Sequence, residues 1–142
     1  MSSDSETAIY RVDVEITAPV FDTEVTSRVT DAVANVFPEA TLEESHGEIR
    51  GTGHSLDHFS ELLHRHDILD TARSEFFANR DGQIFTFSLK KQPALQGRAT
   101  FAVGEADELG EITVRVRVEE PSLEAYVDHI APRTEDGRPV ES

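Results

Sequence analysis

Tyr10-Arg11-Val12-Asp13-Val14-Glu15-Ile16 alternates apolar and charged residues without a break. A period of two puts Tyr10, Val12, Val14 and Ile16 on one side of an extended chain and Arg11, Asp13 and Glu15 on the other, so the segment reads as a strand with one face in a core. Half-buried strands of this kind belong to antiparallel sheets covered on one side only. Thr17-Ala18-Pro19 ends the strand. Asp22 or Thr23 is placed to cap a helix whose Val25, Val29, Val33 and Val36 or Phe37 recur at three- and four-residue spacing until Pro38.

Farther along, residues 40–45 and 48–51, separated by His46-Gly47, read as a β-hairpin, with Gly51-Thr52-Gly53 as a loop. Leu56, Phe59, Leu62 and Leu63 mark a second helix, and Ile68, Leu69, Ala72 and Phe76 a third, with Asp67 as the cap between them. Asp81-Gly82 is a turn. Strands follow at 84–90, 98–103 and 112–118, and Ser122 caps a last helix over 123–130. The order β-α-β-β-α-α-β-β-β-α predicts an α+β fold, an antiparallel sheet with helices packed on one face. One domain over 9–131 is expected, preceded by a disordered 1–8 and followed by a mobile, polar tail at 132–142.

With 28 acidic and 13 basic residues among 142, the chain has a formal net charge of -15. Two lysines against eleven arginines, with acids on nearly every predicted solvent face, read as adaptation to a salt-saturated cytoplasm, where net charge keeps a protein soluble. The charge is uneven: residues 60–103 carry 6 basic and 5 acidic side chains, whereas 1–59 carry 3 and 12 and 104–142 carry 4 and 11. The acid-free run from Gly82 to Gly104 holds both lysines, Lys90 and Lys91, with Arg98 close behind. It is the first place to look for a polyanion site, although buried strands at 84–89 and 99–103 would exclude acids by themselves. Absence of cysteine excludes a thiol nucleophile, a thiolate metal site and disulfides. No apolar run reaches the length of a membrane span, and a polar, acidic start gives no signal peptide, so a cytoplasmic, non-membrane protein is expected.

Alternation also assigns the faces of the later strands. Phe85, Phe87 and Leu89 oppose Thr86, Ser88 and Lys90, and Ile112, Val114, Val116 and Val118 oppose Thr113, Arg115 and Arg117. The outer face thus offers hydroxyls and cations, suited to phosphate oxygens and ribose hydroxyls, while the aromatics lie in the core and cannot stack bases. The competing reading is a solvated face with Arg115 and Arg117 paired to neighbouring acids. Lys90-Lys91-Gln92-Pro93 follows a strand end, and Pro93 disfavours a helical conformation before it, which places the basic pair on an exposed corner. Arg73 could reach this region or pair with Asp70 on its own helix.

Catalytic signals are weak. His54 and His58 stand four apart and His64-Arg65-His66-Asp67 follows, but there is no HExxH, and carboxylates abound in any acidic chain. Neither a phosphate-binding glycine loop nor a GxSxG elbow occurs. Neither an enzyme nor a cofactor or metal site is expected.

Five stretches carry a resemblance: Thr23-Glu24 with 29–40 (VTDAVANVFPEA), 66–73 (HDILDTAR), 87–99 (FSLKKQPALQGRA), 109–114 (LGEITV) and 129–137 (HIAPRTEDG). Together they resemble the archaeal uncharacterised protein family 0201, here in a haloarchaeal-type member. The resemblance implies RNA binding, a fold like that of ribosomal protein L-five, and an association with the RNA-degrading exosome; it supplies no catalytic residues. It favours Arg73, Lys91 and Gln92 as RNA-binding residues, to which the sheet faces add Lys90, Arg98, Arg115 and Arg117. Where the family reads Lys-Gln-Ala-Ala, Pro93 here stiffens the loop. The expectation is a non-enzymatic module recognising structured RNA through backbone and shape, within an RNA-processing assembly; the alternative is a protein-interaction adaptor without direct RNA contact.

Overall fold

The alternating strand, β1 (Arg11–Pro19), buries Val12, Val14, Ile16 and Ala18 and lies at the middle of the sheet. The computed structural model describes residues 10–103, 110–135 and 138–139. The expected disordered start at 1–8 lies outside these residues, as do 136–137 and 140–142 of the expected tail.

In chain order, β1 is followed by α1 (Thr26–Val36), β2 (Thr41–Ser45), β3 (Glu48–Gly53), α2 (Asp57–Arg65), α3 (Leu69–Ala78), β4 (Arg80–Asp81), β5 (Ile84–Leu89), α4 (Lys91–Leu95), β6 (Ile112–Glu120), α5 (Leu123–Ile130) and a short β7 (Thr134–Glu135) and β8 (Arg138–Pro139) ladder. Among the described residues, six strands form one antiparallel sheet, ordered β2-β3-β1-β6-β5-β4. The fold is therefore α+β with an antiparallel sheet. Its core is centred on Phe59 and Phe76, whose rings meet Phe85, Phe87 and Phe101 from the sheet side, while Phe37 at the end of α1 closes on Phe59 at 5.3 Å.

Local chemistry explains most boundaries. His46 and Gly47 both have positive φ, 49° and 81°, the two-residue turn that matches the twist of the β2–β3 hairpin. Ser122 Oγ accepts from the Ala125 N–H at 3.1 Å and caps α5 as expected.

Several expectations are corrected. The segment 98–103 is not a ladder strand but touches β5 through the Leu89–Phe101 bridge, the Lys90 N–H donating to Thr100 O and the Ala102 N–H to Ser88 O. Pro93, far from excluding a helix, sits in the first turn of α4, where an amide proton has no intrahelical partner to lose. Gly51-Thr52-Gly53 is not a loop: β3 continues through it and pairs with Val14, Glu15 and Ile16. A Cβ on Gly51 would stand 3.3 Å from Ile16 Cβ and 2.7 Å from Leu42 Cδ2, so the glycine allows the close approach of strands there. Neither Asp22 nor Thr23 caps α1, whose N-cap is Val25; residues 21–24 instead form a turn in which the Phe21 N–H donates to Glu24 Oε1. Asp67 closes α2 rather than opening α3. With φ of 60° it takes the left-handed position of a Schellman motif, its N–H bonding His64 O and that of Ile68 bonding Leu63 O.

Candidate nucleic-acid interface

The helices cover one face of the sheet, and the other face follows from the register. Thr52, Glu15, Arg115 and Thr86 stand side by side on β3, β1, β6 and β5; Arg50, Thr17, Thr113 and Ser88 form the next row; Asp13, Arg117 and Ile84 form the row on the other side. All project away from the core, because their neighbours along each strand are the buried residues. Two of the hollows on this face lie over β1. One, of about 480 Å³, is bounded by Asp13, Glu15, Thr52, His54, Arg115 and Arg117; the other, of about 460 Å³, by Glu15, Thr17, Thr41, Glu43, Arg50 and Thr52.

Carboxylates are interleaved with the cations. Arg115 Nη1 lies 3.8 Å from Glu15 Oε2, both side chains more than half exposed. Arg50 pairs with Glu48, whose hydrogen bond and charge hold the guanidinium above its ordinary pKa. Arg117 faces Asp13 in register and forms no ion pair among the described residues. Asp13 Oδ1 is instead 3.3 Å from His54 Nδ1, which also lies 3.2 Å from Val12 O. A proton on Nδ1 has both of these acceptors within reach.

The seven residues expected from the sequence do not form one patch. Arg115 and Arg117 share the first hollow. Lys90 is exposed on the same side of β5, but it lies six residues beyond Ile84, the partner of Arg117, or about 20 Å away at strand rise. Arg98 is exposed on the segment beside Lys90, its N–H bonded to Pro93 O, and Gln92 is exposed on α4. Two expectations fail on packing. Lys91 is not on an exposed corner: its side chain is 10% exposed, with Nζ donating to Pro19 O and to Glu24 Oε1 at 2.8 Å and lying 5.3 Å from the centroid of the Phe21 ring. Arg73 reaches neither the loop nor Asp70. It pairs with Asp128 at 2.6 Å, donates to Ala131 O and stacks over Phe77, while Asp70 accepts from the Thr134 hydroxyl.

Arg50 and the Asp13–His54 contact escaped the sequence reading. The alternation of Ile49 and Arg50 within the strand expected at 48–51 was the available signal for Arg50. Among the described residues, no group of three or more histidines and carboxylates is placed to hold a metal ion. No helix among them is long and apolar enough to cross a membrane.

A family model described as RNA binding matches residues 13–119. The UPF0201 protein of Metallosphaera sedula is 36% identical over 134 residues, a match covering 89% of this chain and 92% of that one. The chain belongs to the UPF0201 family. A UPF0201 structure from Methanococcus jannaschii superposes with a TM-score of 0.83 at 32% identity, covering 91% of this chain and 99% of that one. The UPF0200/UPF0201 protein of Archaeoglobus fulgidus is 42% identical over 130 residues; the match takes in 91% of this chain but spans only 40% of that protein's length.

Proposed function

We propose that this UPF0201 protein is a non-enzymatic RNA-binding module that lays the backbone of a structured RNA across the open face of its sheet. The observation that carries this reading is the face itself, uncovered by helices and furnished with Arg115, Arg117 and a field of threonine and serine hydroxyls. Such donors suit phosphate and sugar oxygens. The phenylalanine rings lie on the core side, so backbone and shape are read rather than stacked bases. Lys90 and Arg98 extend the surface beyond β5, whereas Lys91 and Arg73 serve packing. With few cations and interleaved acids, affinity rests on short-range hydrogen bonds, and its salt dependence is shallow.

The test is RNA binding over a potassium series by the intact protein and by Arg115→Ala/Arg117→Ala. Binding that weakens at least tenfold in the variant supports the reading. Absence of binding by the folded wild type, or an unchanged variant, overturns it.

An adaptor role is the second reading, favoured by Phe21 and Val25, which are 43% and 58% exposed beside a hollow of about 250 Å³ between α1 and α4. Phe21→Ala/Val25→Ala would then abolish partner capture and leave RNA binding intact. A cytoplasmic location at high salt, a kinship with the ribosomal protein L-five fold and membership of an exosome-associated assembly belong to this proposal. The longer Archaeoglobus fulgidus relative is compatible with a domain that works joined to others.

A further inference from the structure

The carboxylates on the open face need a physical account, because each repels the phosphates that the arginines attract. They are not scattered. The charged side chains that β1 contributes to the first hollow are Asp13 and Glu15 and those of β6 are Arg115 and Arg117, in the register Asp13–Arg117 and Glu15–Arg115. The same acid-beside-cation unit therefore occurs twice, two residues apart along the ladder, with the members of each unit about 5 Å apart at Cβ. The pairs are loose. Arg115 and Glu15 approach only to 3.8 Å while more than half exposed, and Arg117 makes no ion pair among the described residues, so both signs retain hydrogen-bonding capacity. A hollow of about 480 Å³ falls in the range that holds a small ligand group.

A ribonucleotide carries its 2′-hydroxyl and its 3′-phosphate on adjacent carbons of one sugar. A site for this unit needs an acceptor beside a cation, as the β1–β6 ladder provides. We propose that this hollow is a ribose-phosphate subsite, in which Arg115 and Arg117 hold phosphodiester oxygens and Glu15 and Asp13 accept the adjacent 2′-hydroxyl. The carboxylates thereby select RNA over DNA. The inference rests on the RNA-binding reading and names the chemistry of its ligand. His54 orients Asp13 through Nδ1, and Thr52 closes the side toward β3.

The test compares an RNA hairpin with its 2′-fluoro counterpart, which keeps the A-form helix and loses the hydroxyl donor, on the full-length chain. Wild type is expected to prefer the hydroxyl form about tenfold, as a hydrogen bond to a charged acceptor implies. Asp13→Ala/Glu15→Ala, changes on the solvent side of β1, should bring the ratio near one even as relief of repulsion strengthens binding to both. Arg117→Ala should weaken both ligands alike. An unchanged preference in the double variant, or no preference in the wild type, overturns the subsite while leaving RNA binding in place. Failure of the folded wild type to bind either hairpin overturns the RNA reading itself. Uridine 3′-monophosphate bound as tightly as the hairpin would support the subsite and overturn recognition of a polymer.

Discussion

Lys91 Nζ and Glu24 Oε1 meet at 2.8 Å with side chains only 10% and 11% exposed, tying the start of α4 to the turn before α1 across 67 residues of sequence. Removing one member of a largely enclosed pair leaves the other charge without its partner, so Lys91→Ala is expected to cost about 2 kcal/mol in chemical denaturation. Lys91→Met with Glu24→Gln should recover part of that loss, since a neutral pair strands no charge, although Pro19 O loses its donor. A double variant no more stable than the single one would exclude the ion pair as the cause. RNA-binding loss in a Lys91 variant must accordingly be compared at equal fraction folded.

Arg73 holds the end of α5 through Asp128 and Ala131 O. Asp128 is more than half exposed, which screens the pair, so the backbone bond and the packing over Phe77 carry most of the effect. Arg73→Ala should lower stability by about 1–2 kcal/mol and leave RNA affinity unchanged. A selective loss of RNA binding at full stability would return Arg73 to the interface.

Asp67 holds a left-handed conformation at the end of α2, where a Cβ is strained and glycine is not. Replacement by Gly is expected to stabilise the fold by about 0.5–1 kcal/mol, raising Tm by roughly 1–4 °C. A lower Tm would mean that the aspartate makes a stabilising contact that outweighs its strain.

Burial raises the Tyr126 phenol above its ordinary value of 10, against a smaller opposing effect from its hydrogen bond to the Leu56 backbone. The folded state thus prefers the neutral ring. Its stabilisation is fully present below pH 10, and is lost as the pH rises above 10 toward the folded value. Between pH 10 and 12 the wild type should lose stability faster than Tyr126→Phe, whose ring cannot ionise. Parallel stability curves for the two proteins would refute the assignment.

Strand polarity was readable because alternation is a local property. The period of two in β1, β5 and β6 assigned Val12, Phe87 and Val116 to the core and Arg115 and Arg117 to the outside, and Ser122 announced α5 by its capping chemistry. Gly51 misled because glycine punctuates loops and also permits close strand approach, and only the position of Ile16 and Leu42 distinguishes the two roles.

By itself the sequence determined the α+β class, the sides of the strands and most helix faces, all consequences of periodicity and of short-range backbone hydrogen bonding. The tertiary structure decided strand order, and with it that Asp13 and Glu15 stand beside Arg117 and Arg115 rather than beside other strands. It also decided which cations are available. Lys90 and Lys91 are neighbours in the chain, yet one is exposed and the other is enclosed by Pro19, Phe21 and Glu24. Charge pairing depends on distance in space and on the water that packing removes, and neither is encoded in the spacing of residues along the chain.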